Sequence, residues 1–78
     1  MSKYKFGDFV RYDNNDLYGV AYVIGHKKIE NIEIPIIANK DFMGMPINSL
    51  FLKLVETGCL DIAKSLREQY QYNFGDLI

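Results

Sequence analysis

The stretch Tyr18-Gly19-Val20-Ala21-Tyr22-Val23-Ile24-Gly25 decides the fold class. Its β-branched and aromatic residues favour an extended strand. Side chains alternate between the two faces of such a strand, so Val20, Tyr22 and Ile24 share one face and Ala21 and Val23 the other. Both faces are apolar. A sheet with one wet face would alternate apolar with polar residues. This strand therefore expects cover on both sides, with a barrel core on one and a helix or a partner on the other.

Working outward, Phe9 to Tyr12 reads as a first strand and Asp13-Asn14-Asn15-Asp16 as a turn, because these residues tolerate a left-handed backbone and bond their own main chain. Gly25-His26-Lys27-Lys28 reads as leaving the second strand toward a polar connection with Glu30 and Asn31. A third strand places Ile32, Ile34 and Ile36 on one face, with Glu33, Pro35 and Ile37 opposite. Pro35 has no N–H for a ladder, which predicts an edge strand or one paired on one side only. Asn39-Lys40-Asp41 is the next turn, and Phe42-Met43-Gly44-Met45-Pro46 a loop or short strand. Asn48-Ser49 predicts a tight helical turn before a strand from Phe51 to Val55. Phe6, Phe9 and Phe51 are assigned to the core.

The period then changes. Cys59, Ile62, Ala63, Leu66 and Tyr70 recur at helical spacing, with Asp61, Lys64, Arg67 and Glu68 on the other side. The spacing predicts an amphipathic helix over 58–71, capped by Thr57 and burying Ile62, Leu66 and Tyr70. Tyr72-Asn73-Phe74-Gly75-Asp76-Leu77-Ile78 forms an apolar tail. The tail echoes Tyr4-Lys5-Phe6-Gly7-Asp8-Phe9-Val10, since both read Tyr-x-Phe-Gly-Asp followed by two apolar residues.

The order of these runs resembles the small SH3-like barrels of bacterial and phage proteins. Such barrels often open on Gly-Asp-x-Val, here Gly7-Asp8-Phe9-Val10, and close on Pro-hydrophobic-x-x-Leu-x-Leu, here Pro46-Ile47-Asn48-Ser49-Leu50-Phe51-Leu52. The resemblance covers residues 4–56. It implies a mostly-β fold, an SH3-like small barrel of about five strands followed by a C-terminal amphipathic helix. A single domain over 1–78 results, with the barrel at 4–56, the helix at 58–71 and the tail at 72–78. The resemblance indicates a fold and not an activity.

Seventy-eight residues with 49% hydrophobic content suit one small domain and exclude a disordered chain. Nine Lys and Arg against ten Asp and Glu give no long-range pull toward nucleic acid, and no acidic nucleic-acid mimic either. A single cysteine cannot form an internal disulfide, which points to a reducing compartment. The first residues lack the apolar core of a signal peptide, and no apolar run is long enough to span a bilayer. A cytoplasmic protein with no membrane association is expected.

Chemistry-bearing residues are sparse. His26 and Cys59 are the only nucleophile and base candidates, with no orienting third residue at a useful spacing. His26 with Glu30 lacks further metal ligands. Neither an enzyme nor a cofactor is therefore expected. A binding role rests instead on Tyr12, Tyr18 and Phe42 beside turns, where SH3-like barrels build their groove. Tyr22 adjoins the basic patch His26, Lys27 and Lys28, and Met43 and Met45 offer adaptable apolar surface. These residues point to a non-enzymatic protein-binding module, a small regulator or inhibitor occupying a partner's surface. The chain resembles in style the accessory proteins of bacteria and phages. A nucleic-acid or ribosome-associated module is the alternative, and a nucleotide binder at a subunit interface a further one. The doubly apolar second strand, Pro35 and the tail together point to a homodimer.

Overall fold

A computed structural model describes residues 3–70. Five antiparallel strands form one sheet in the order β4-β3-β2-β1-β5, with one helix after them. The strands are β1 (Phe9–Asp13), β2 (Tyr18–Ile29), β3 (Ile32–Asn39), β4 (Phe42–Pro46) and β5 (Leu52–Glu56). A 3-10 turn (Ser49–Phe51) precedes β5, and helix α1 spans Leu60–Tyr70. The mostly-β class with a C-terminal helix stands as the sequence predicts. The predicted tail, and the last residue of the predicted helix, lie outside the described residues.

Turn chemistry sets the hairpins. Between β1 and β2, the Asp13 side chain accepts from Asn15 N (3.0 Å) and Asn14 from Leu17 N (2.8 Å), with Asn15 left-handed at φ 79°. Between β2 and β3, Glu30 and Asn31 both have positive φ, at 49° and 70°, the requirement of a two-residue type I′ hairpin. That tight turn lets the ladder run on to Ile29↔Ile32. The segment His26-Lys27-Lys28 is therefore strand, not the connection expected from its polarity.

The doubly apolar β2 is covered on both faces. Ala21 and Val23 meet Val10, Tyr12, Ile37 and Leu52 in an inner cluster, which Tyr4 and Ile47 join. On the outer face, Ile24 packs with Ile36, Ala38 and the helix residues Ala63 and Leu66, with Phe6 and Tyr22 against them. A register shift between Val23 and Gly25 accommodates one extra residue, so the consecutive Val23 and Ile24 are both fully buried.

Four expectations are corrected. First, β3 is interior and not an edge, since β4 and β5 flank the sheet. The Pro35 carbonyl accepts from Ile47 N (3.0 Å), so the proline's donor-less edge faces the chain leaving β4, beyond the last register pair Ile36↔Pro46. Second, the helix cap is Cys59, whose carbonyl accepts from Ala63 N (3.1 Å) while its own N–H donates to Gly7 O (2.8 Å). Thr57 lies ahead of it and is exposed. Third, only Ala63 and Leu66 on the helix are buried among the described side chains, and Ile62 is 48% exposed. The helix meets the sheet along a narrow line, and Ile62 falls at its margin. Fourth, Phe51 belongs to the surface, at 43% exposure, because the 3-10 turn sends Ile47 and Leu52 inward instead.

Candidate partner-binding surface

Asn48 caps the turn that builds this surface. Its side-chain oxygen accepts from Leu50 N (2.9 Å), and its carbonyl accepts from Phe51 N (3.0 Å). The tightly wound turn leaves Leu50 86% exposed. Beyond Leu52, which is buried, every residue of β5 is exposed, including Leu54 and Val55. The pairing of β5 with β1 shifts between Val10↔Leu54 and Phe9↔Glu56, which leaves Val55 as the extra residue on an outer strand. Leu50, Phe51, Leu54 and Val55 are thus exposed apolar side chains on or just before the outer strand β5. A cavity of about 370 Å³ is lined by Arg11, Asp13, Leu50, Phe51, Leu52 and Lys53. Arg11 and Lys53 are register partners, and both line this cavity together with Asp13.

A second groove, also about 370 Å³, runs between α1 and the outer face of β1 and β2. Phe9, Val20, Tyr22 and Ile62 line it, and Asn39, Lys40 and Asp41 stand at its rim. Phe9 and Tyr22 are register partners whose rings lie 4.7 Å apart, tilted by 32°. Asn39 fixes the rim by donating from Nδ2 to the Val20 carbonyl (2.9 Å).

Of the residues singled out in the sequence, Tyr12 shares one cavity with Tyr18 and another with Met45, while Tyr22, His26, Lys27 and Lys28 line neither. Tyr12 is 9% exposed and joins the inner cluster, yet it also lines these two surface cavities, of about 180 Å³ with Tyr18 and about 470 Å³ with Met45. Position 12 alternates inward with Val10, and its pairing with Leu52 closes the sheet over it. Tyr18 is 80% exposed at the start of β2, and Tyr22 is half-buried in the groove below α1. At the far end of the same strand, roughly 30 Å along it from Tyr18, Lys27 and Lys28 are exposed and Lys28 faces Glu33 across the ladder. His26 Nε2 lies 2.8 Å from the Tyr4 carbonyl oxygen, and since a carbonyl only accepts, Nε2 carries the hydrogen. Met45 packs against the inner cluster. Phe42 and Met43 lie in β4, and their side chains fall outside what is described. Sequence reading missed this cavity at Leu50 and Phe51 because it assigned Phe51 to the core. The Asn48-Ser49 signal for a turn was present, and a turn there breaks strand alternation.

Cys59 is not set up as a nucleophile. Partial desolvation, its hydrogen bond to Glu56 Oε2 (3.5 Å) and the negative charges of Glu56 and Asp8 all raise its pKa above the ordinary thiol value. His26 is engaged elsewhere, with Tyr4. Among the described residues no group of His, Cys, Asp and Glu could hold a metal ion. No helix among them is long and apolar enough to cross a membrane.

Compared with known proteins, the chain matches no family model, no curated protein and no solved structure.

Proposed function

We propose that this protein is a non-enzymatic protein-binding module, a small cytoplasmic regulator or inhibitor that acts by occupying a partner's surface. The observation that carries this reading is the cavity at which exposed Leu50 and Phe51 stand together with Arg11, Asp13 and Lys53. Large apolar side chains gathered at one cavity and edged by charges have the anatomy of a protein interface, whereas scattered single apolar residues would mean little. A nucleic-acid surface would need an extended basic face, and Lys28 is instead offset by Glu33 on the neighbouring strand. Two of the three features that pointed to a homodimer are satisfied within one chain: α1 covers β2, and β3 is interior.

The test is affinity capture from a cell lysate with wild type and with Leu50→Glu as bait. Leu50 is so exposed that the variant should fold as wild type does, with any change in stability within about 0.5 kcal/mol. A protein retained by wild type and lost with Leu50→Glu supports the proposal. Equal retention by both baits removes this cavity as the contact.

A further inference from the structure

Arg11 stands in the middle of a row that crosses three strands. Its neighbours Val10 and Tyr12 are buried, so alternation turns Arg11 to the opposite face of β1, where it is exposed. Its register partners are Lys53 of β5 on one side and Val20 of β2 on the other. Two residues further along β1, Asp13 pairs with the exposed Tyr18. Three cavities meet along these rows. Arg11 and Asp13 line both the cavity at Leu50 and Phe51 and the smaller one at Tyr18 and Val20. Val20 in turn lines the groove beside α1. Shared side chains thus join the three into one tract across β5, β1 and β2.

The tract carries an unbalanced charge. Cross-strand partners have Cβ atoms about 5 Å apart, and like charges placed so repel. Arg11 and Lys53 are such a pair, and neither makes an ion pair among the described residues. The Asp13 carboxylate is turned to its own loop, where Oδ1 accepts from Asn15 N (3.0 Å). Lys40 and Asp41 at the rim of the groove offset one another. Arg11 and Lys53 against Asp13 leave one positive charge over, in a chain whose net charge is −1.

We propose that this tract takes a protein segment in which one Asp or Glu is set among large apolar residues, its carboxylate lying between Arg11 and Lys53. The proposal rests on the protein-binding reading and names the chemistry of the partner. One carboxylate relieves the repulsion within the row, and the planar Arg11 guanidinium can donate to both of its oxygens. Leu50 and Phe51 on one side, and Tyr18 and Val20 on the other, then meet the apolar neighbours of that acid. A nucleic-acid strand repeats its charge about every 3.4 Å and would set further phosphates against Asp13. A single carboxylate matches the single charge left over.

Selection from a displayed library of random peptides tests this, with wild type, the double variant Arg11→Gln/Lys53→Gln, and Leu50→Glu as baits. All these positions are exposed, so thermal melts should agree within a few degrees, and the double variant should melt no lower than wild type because the repulsion is gone. Wild type should enrich peptides that carry Asp or Glu beside Leu, Phe or Tyr. A synthetic copy of the leading peptide should bind the double variant at least tenfold more weakly. Changing its acid to the amide should weaken binding to wild type by a similar factor and leave binding to the double variant unchanged. Enriched peptides without an acid, or binding that the amide leaves intact, overturn the proposal. If such acid-free peptides still fail to bind Leu50→Glu, the protein-binding reading stands without it. No enrichment by wild type over bare support also overturns the proposal. Should the double variant not fold, Arg11→Gln and Lys53→Gln are read singly by the same criteria.

Discussion

Leu66→Ala separates the role of the helix from that of the sheet. Leu66 is the one large described side chain that α1 buries, at 9% exposure, against Ile24, Ile36 and Ala38. Truncation removes its transfer free energy and leaves a hole that close-packed β residues cannot fill, a loss of about 3 kcal/mol. For 78 residues, an unfolding entropy of about 2.1 cal/mol/K per residue amounts to about 0.16 kcal/mol/K, so Tm should fall by about 18 °C. Total stability for a domain of this length is about 4–12 kcal/mol, and the variant should still fold when cold. Ile62→Ala, four residues earlier and half exposed, should lower Tm by no more than a few degrees. Thermal melts followed by circular dichroism give both values. Equal shifts for the two variants would refute the account of a helix that docks along the single line Ala63–Leu66.

Tyr4→Phe keeps the ring but leaves the Leu52 carbonyl without its hydroxyl donor, and should cost about 1–2 kcal/mol in a urea melt. Its effect should exceed that of Tyr18→Phe, which alters an exposed ring and should fall within about 0.5 kcal/mol of wild type. Cys59 should react with a thiol reagent at pH 8 more slowly than a free cysteine, because its raised pKa leaves less thiolate. Glu56→Gln removes the nearest negative charge, which lowers that pKa and should quicken the reaction. A slower reaction in that variant would contradict the electrostatic cause.

The β2 pattern was legible because two-sided burial writes itself into consecutive apolar residues, and Val23 and Ile24 show it directly. The type I′ turn was not read, since Glu30 is an uncommon residue for a left-handed position and only the ladder on either side selects it. Pro35 misled because the rule concerns one edge of one residue. β4 stops where the missing N–H would matter, and that is a tertiary fact. The partner surface was the least legible part. Aromatic residues near turns attract attention as contact anchors, yet Leu50, an ordinary aliphatic residue, carries the greatest exposure among the large apolar side chains described.

The central claim is that this chain binds a protein through apolar contact, and the salt dependence of capture tests it most directly. Wild-type protein is immobilised, a nuclease-treated lysate is passed over it, and the column is washed from low salt to about 0.5 M. Apolar burial with few ion pairs predicts a protein that stays bound throughout and is absent when the bait carries Leu50→Glu. Material that needs intact nucleic acid, or that elutes in proportion to salt from both baits, would contradict the account.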